Sequence, residues 1–406
     1  MKLTAALLAL SFATLVAGDW PQWRGPNRDD NNTETGLLKK WPADGPKRAW
    51  IFENAGMGYS GFSVAGGKLF TMGTRGGKEI LLALDANTGK ELWATPIGDV
   101  LKNKWGDGPR GTPTVDGTRV YTISGTGNVV CAEASNGKTV WTKSMQDLGG
   151  KTPGWGYTES PLVDGKLVAI TPGGDKGTMA ALDKQTGEVV WQCPDVTEGA
   201  QYASIVPVTI GGKKQFVQLV TQTLFGVDAA TGKLAWRSKW PGSVAVIPTP
   251  IVKGDEIFVS SGYKAGCKKI KVSGSGEVTD VFMNKDLVNH HGGVILIGDY
   301  LYGHSDKDGW TCMSFADGSV KWREQQAFGK GAIGYADGKF YCLEEDSGKV
   351  ALIEASPDGW KEQGRFQLSP QAANRSKDGK IWVHPVIANG KLYLRDQEFI
   401  YCYNVK

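Results

Sequence analysis

One tryptophan-ended pattern recurs along this 406-residue chain and restricts what the chain can fold into. Its first full copy runs Ala83-Leu84-Asp85-Ala86-Asn87-Thr88-Gly89-Lys90-Glu91-Leu92-Trp93. Later copies end in Gly137 and Trp141, Gly187 and Trp191, Gly232 and Trp236, and Gly318 and Trp322. A small residue stands ten positions before each Trp: Ala83, Cys131, Ala181, Gly226 and Cys312. Two degenerate copies, around Gly276 and Gly359, lack the Trp. A spacing of about 40 to 50 residues is that of a four-stranded propeller blade.

The other half of each unit is as regular. Pro113 to Tyr121 matches Pro161 to Val168, with versions at Pro250 to Phe258, Ala336 to Tyr341 and Ile387 to Tyr393. Most read as strand, tight turn at Gly, strand, with alternating apolar residues. The Gly before each Trp marks a second hairpin. No helical periodicity of useful length appears.

Seven turn glycines run from Gly89 to Gly359. The last strand, Phe399 to Val405, has no Trp strand after it, and Arg48 to Phe52 is a Trp strand with no turn before it. Pairing these two segments predicts an all-β, eight-bladed propeller of four-stranded antiparallel blades, closed by its two ends. Seven blades is the alternative if a degenerate unit forms no blade. Closure hides sheet edges that would template aggregation.

A large ring at a fixed repeat position fills the wedge between neighbouring sheets, and the small residue leaves room for it. Trp50, Trp93, Trp141, Trp191, Trp236 and Trp322 are therefore read as structural. The same logic bears on the six cysteines. Cys131, Cys312 and Cys402 occupy the small-residue position, where a buried Cys acts as a small hydrophobe. Cys193, Cys267 and Cys342 form no Cys-x-x-Cys spacing.

The chain starts with Lys2, an apolar run from Leu3 to Val16, and small residues Ala17 and Gly18. That layout predicts a signal peptide over residues 1–18, an extension over 19–46, one propeller domain over 47–406, and a periplasmic or secreted protein. No Cys near the cleavage site signals a lipid anchor. A net charge of +4 with no basic run gives no reason to expect nucleic acid or an anionic membrane as partner.

The pattern at Ala83 to Trp93 resembles the tryptophan-docking repeat of quinoprotein dehydrogenases and their relatives. The segment Asp19 to Asn27, DWPQWRGPN, is similar to the start of many exported bacterial proteins with repeats like those of pyrroloquinoline quinone (PQQ) enzymes. The resemblance implies two functional classes. One holds alcohol and sugar dehydrogenases that bind PQQ with calcium in the axial funnel. The other holds non-catalytic propellers such as the BamB-type scaffold.

Function should lie in the non-repeating residues before each innermost strand, which ring the channel on one face. Blade by blade these include Trp105, Asp107, Arg110, Trp155, Tyr157, Glu159, Tyr202, Asn289, His290, His291, Lys330, Trp382 and His384. Tyr59, Ser60 and Gln201 belong to the same set, and the stretch from Ser243 to Val246 is mostly apolar. The Trp residues suit stacking on a flat ring, and Arg110 and Lys330 suit carboxylates. Under the dehydrogenase alternative, Glu159 and Asn289 would offer oxygens to calcium. Adjacent histidines in a strand would point to opposite faces, so His290 and His291 make no zinc site.

Against an enzyme stand several absences: no vicinal Cys-Cys pair, no Cys-x-x-Cys-His and no clear catalytic Asp. The expectation is a monomeric, non-enzymatic envelope propeller without cofactor. It would bind an envelope protein or a small ligand through its top loops and funnel. The alternative is a PQQ- and calcium-dependent alcohol or polyol dehydrogenase.

Overall fold

The structure is a computed structural model that describes residues 18–406. The expected signal peptide falls almost wholly outside the described residues. Eight sheets, each with four antiparallel strands, form the blades of a propeller, and Asn31–Asn32 adds a short parallel fifth strand to the blade that begins at Gly331. Blade 1 comprises Ser63–Ala65, Lys68–Arg75, Lys78–Asp85 and Glu91–Asp99. Blades 2 to 7 begin at Thr114, Leu162, Val206, Ile251, Val294 and Gly331. Blade 8 is shared between the ends of the chain. Arg48–Phe52 pairs antiparallel with Phe399–Asn404, placing Trp50 opposite Cys402. The degenerate units around Gly276 and Gly359 are blades 5 and 7, so the ring has eight blades. Among the described residues the only helix is a single turn at Gln146–Leu148.

The turn before each docking residue explains its sequence. Asp85 Oδ1 accepts hydrogen bonds from the Asn87 and Thr88 amides and the Thr88 hydroxyl. Asp183 and Asp228 repeat these contacts. The short carboxylate thus holds the tight turn in place of backbone. Gly89 follows with φ 72°, a conformation that suits glycine. A Cβ there would also strike the Trp50 ring at 2.6 Å. The glycine is therefore the shelf on which the neighbouring blade's Trp rests.

Each indole also reaches forward. The N–H groups of Trp50, Trp93, Trp141, Trp191 and Trp322 donate to carbonyls of Ala86, Ala134, Lys184, Ala229 and Ser356 on the next blade. Trp236 instead donates to Gln215 in its own blade. Eight hydrophobic clusters fill the eight junctions between blades.

The two degenerate blades solve the missing Trp differently. In blade 5 Phe282 lies opposite Lys269 and covers Gly318 of blade 6. In blade 7 the matching position is Gly364, opposite Leu352. A Cβ on Gly364 would meet Trp41 at 2.7 Å. Trp41 comes from the N-terminal segment and sits 5.8 Å from Tyr341, at an interplanar angle of 57°. Trp50 and Tyr393 of blade 8 stand 6.0 Å apart at 50°. The N-terminal segment therefore supplies the ring that the blade lacks.

All six cysteines are free and buried. Cys131 and Cys312 face Trp141 and Trp322 in register, as Cys402 faces Trp50. No helix of the described residues is long and apolar enough to cross a membrane.

Candidate functional site

The N-terminal segment closes the channel. Trp20 bridges to Val64 on the innermost strand of blade 1. Arg28 is buried, and its guanidinium donates to the carbonyls of Ser160, Pro161 and Ile205 on blades 3 and 4. Arg24 reaches the Val294 carbonyl of blade 6 and pairs with Asp30 at 2.8 Å. Trp23 donates to Thr249 Oγ1 and meets the His384 ring edge-on at 4.8 Å. Burial lowers the Arg28 pKa to about 9. It raises that of Asp30 to about 6, against the pull of Arg24. Arg24, Arg28 and Asp30 all have positive φ. Non-glycine residues adopt that conformation only where their surroundings hold them there.

Above this floor opens a cavity of about 310 Å³. Of the residues expected from sequence, Trp105, Arg110, Trp155, Tyr202, His290, His291, Trp382 and His384 line it. Trp155 stacks on Tyr202 at 5.1 Å and 24°. Trp382 packs on Tyr59 at 5.1 Å. Arg110 lies 5.0 Å from the centre of the Tyr59 ring and donates to the Trp155 and Gly106 carbonyls. Val244 and Ala245 add the apolar patch read from sequence.

The other five lie outside the lining. Asp107 pairs with exposed Lys102 and accepts the Asn103 amide. Tyr157 is buried and donates to the Pro172 carbonyl. Glu159 is buried among Thr171 and Gln218. Its pKa rises to about 7, because burial outweighs the Thr171 bonds and the Arg28 charge. Asn289 staples its own loop through Gly293 and His304. Lys330 donates to Asp306 at 2.7 Å and to His290 Nδ1 at 2.9 Å.

Glu159 and Asn289 do not suit the calcium role expected for them. Both spend their oxygens on internal bonds, and they belong to loops three blades apart. Calcium takes six to eight oxygens. Among the described residues no group of three His, Cys, Asp or Glu could hold a metal ion.

His290 and His291 lie in a loop rather than a strand, so both face the cavity. His291 Nε2 bonds the Glu345 carboxylate, which also accepts the Trp382 indole N–H at 3.0 Å. Burial opposes ionisation of Glu345, yet His291, Lys330 and Trp382 together hold its pKa at about 2. Burial, with the charges of Lys330 and His291, lowers His290 to about 4. His384 donates Nε2–H to the His291 carbonyl, and burial lowers its pKa to about 3.

An arc of hydroxyls from blades 3 to 5 runs beneath the walls. The Thr112 amide donates to Ser160 Oγ, the Ser160 amide to Ser204 Oγ, and the Ser204 amide to Thr249 Oγ1. Blades 3, 4 and 5 thus each present a hydroxyl to the blade before.

Several of these residues escaped the sequence reading. Trp23, Arg24 and Asp30 form the floor, and a segment with two Trp and two Arg outside any strand pattern was the available signal. Tyr263, which meets the His290 ring edge-on at 5.0 Å, and Glu345 come from hairpins between second and third strands. In an antiparallel blade those hairpins open on the same face as the loops before the first strand. The strand alternation contained that information.

The model of a family described as outer membrane protein assembly factor BamB matches residues 77–324. The chain belongs to that family. BamB from Moraxella catarrhalis is similar in structure, with a TM-score of 0.55 and 14% identity over 82% of this chain and 94% of that one. Quinohemoprotein alcohol dehydrogenase from Comamonas testosteroni gives a TM-score of 0.66 at 11% identity, over 97% of this chain and 81% of that one. The computationally designed Ika8 protein gives 0.60 at 9% identity, over 89% and 100%. At such identities the structural likeness describes the fold. The BamB family model and the quinohemoprotein likeness meet on one propeller, as the repeat implies. No curated protein matches the chain.

Proposed function

We propose that the protein is a non-enzymatic ligand-binding propeller of the cell envelope. It works as a monomer in the periplasm or outside the cell. The observation that carries this reading is the blind funnel: aromatic walls, a floor made by the chain's own N-terminal segment, and Arg110 with no ion pair among the described residues. Such a cavity binds, whereas a through-channel would conduct. The family match supports the reading, because its description names an assembly factor. The exposed rim around Trp105 is where an envelope protein partner would touch the filled funnel.

The rival reading is a PQQ- and calcium-dependent alcohol dehydrogenase, favoured by the stacked Trp155–Tyr202 wall. It needs calcium oxygens that Glu159 and Asn289 do not supply. Purified protein incubated with PQQ and calcium chloride separates the two by a dye-linked alcohol oxidation assay. The binding reading expects no turnover. Calcium-dependent turnover would replace it with the dehydrogenase.

A further inference from the structure

We infer that the funnel takes a ring-shaped polyhydroxy carboxylate, an acidic sugar of the uronic-acid class, with its carboxylate on Arg110 and Trp155. This deepens the binding reading and rests on it.

Charge comes first. Asp30 is paired with Arg24, and Glu345 with His291. Arg110 forms no ion pair among the described residues, and its Nη1 has no hydrogen-bond partner. A largely buried guanidinium with no carboxylate in contact, only the more distant charges of Glu79 and Asp107, favours one anionic group, and its fork matches a carboxylate. Trp155 Nε1 is likewise buried without a partner. Its side chain and that of Arg110 both line the cavity.

The opposite wall asks for a different chemistry. His384 Nε2 faces a carbonyl oxygen and so must carry its hydrogen. That leaves Nδ1 as an acceptor, and it has no partner. His291 Nε2 faces the Glu345 carboxylate, and its Nδ1 is also unpartnered. Buried polar atoms left unpaired are costly, and a set of them on residues that line one cavity calls for a ligand or water. An unpartnered imidazole nitrogen is satisfied by a hydroxyl, which can donate to it or accept from it.

The remaining surface is aromatic. Trp155, Tyr202, Tyr59 and Trp382 line the cavity with aromatic surface, which suits the C–H face of a pyranose. A flat aromatic carboxylate would satisfy Arg110 and leave the histidines unpaired. A neutral sugar would do the reverse. Only a ligand with both groups answers both walls. The cavity lies at the lower end of the usual range of about 300–1,000 Å³, which suits one ring rather than a chain.

Titration calorimetry on the mature protein tests this with D-glucuronate, D-glucose and isophthalate. D-glucuronate should bind saturably, and D-glucose and isophthalate each at least roughly tenfold more weakly, the first for want of the charge-assisted bond and the second for want of hydroxyls on the histidines. Arg110→Met should abolish D-glucuronate binding. Trp155→Phe keeps an aromatic ring beside Tyr202 and removes an N–H that has no protein partner, so melting should drop little while affinity falls roughly tenfold. Equal binding of D-glucose, tighter binding of isophthalate, unaltered affinity in Trp155→Phe, or no heat from D-glucuronate would each overturn the acid-sugar assignment. Saturation by D-glucose or isophthalate alone would leave the binding reading standing. No heat from any probe, with no ligand on protein from its native host, would remove both.

Discussion

Replacing Trp41 with Ala should destabilise the propeller as much as removing a docking Trp from any intact blade. Trp41 is 4% exposed. It packs against Tyr341 at 5.8 Å and Phe366 at 5.3 Å, over Gly364. Its Nε1 has no protein partner, so the loss is one of packing. Glycine beneath it cannot fill the hole, and the junction is walled by strands that collapse little. Aromatic-to-Ala changes in such sites cost about 3–5 kcal/mol. At roughly 2 cal/mol/K of unfolding entropy per residue, a chain of this length should lose about 5 °C in melting temperature. Urea unfolding followed by far-ultraviolet circular dichroism measures the cost without relying on tryptophan emission. Trp141→Ala serves as the reference, since Trp141 is the docking residue of blade 2 and covers Gly187 in the turn of blade 3. A loss below about 1 kcal/mol for Trp41→Ala, beside a full loss for Trp141→Ala, would refute the substitution of Trp41 for the missing docking residue.

Deleting Phe399 to Lys406 removes the partner of Arg48–Phe52 and should abolish cooperative unfolding; a deletion variant with unchanged melting would refute closure at blade 8. Thiol titration in denaturant should find six free cysteines, whereas the native protein should react slowly. Burial raises Cys131 to about 11 and Cys402 to about 12, so little thiolate exists at neutral pH; rapid native modification would contradict this. Glu159 has a folded pKa raised to about 7, so its contribution to stability is full below about 4.5 and is lost as pH rises through 7. Glu159→Gln should therefore flatten the decline of stability between pH 5 and 8, worth about 3 kcal/mol at the upper end. A pH profile identical to that of the parent protein would show that the carboxyl is already ionised.

The ring was legible because its signals are local. An Asp or Ser that caps its own turn, a Gly with positive φ and a Trp a few residues on all fall within one short stretch of chain. Blades 5 and 7 were legible from their turns alone. What fills their junctions was less so. Phe282 does the work of a Trp at the matching register, and Trp41 arrives from a segment remote from blade 7 in sequence. Such a replacement depends on where the chain returns in space, and no repeat pattern records it.

The site divides along the same line. Trp105, Arg110, Trp155, Tyr202 and His384 were readable because loops before the innermost strands must face the axis. Glu159 and Asn289 stand in those same loops, yet their side chains turn back into blade contacts. Position in a loop fixes the backbone's face and not the side chain's partner. Sequence placed His290 and His291 before an innermost strand but gave them strand geometry, in which they would diverge. The Gly292-Gly293 pair that follows them instead lies in a loop and lets both face inward.

Native mass spectrometry of the mature protein purified from its own host tests the central claim most directly. The account predicts a bound small anion, released on denaturation, that is absent from the Arg110→Met protein folded to the same extent. A ligand-free funnel, or a ligand retained unchanged after loss of Arg110, would contradict it.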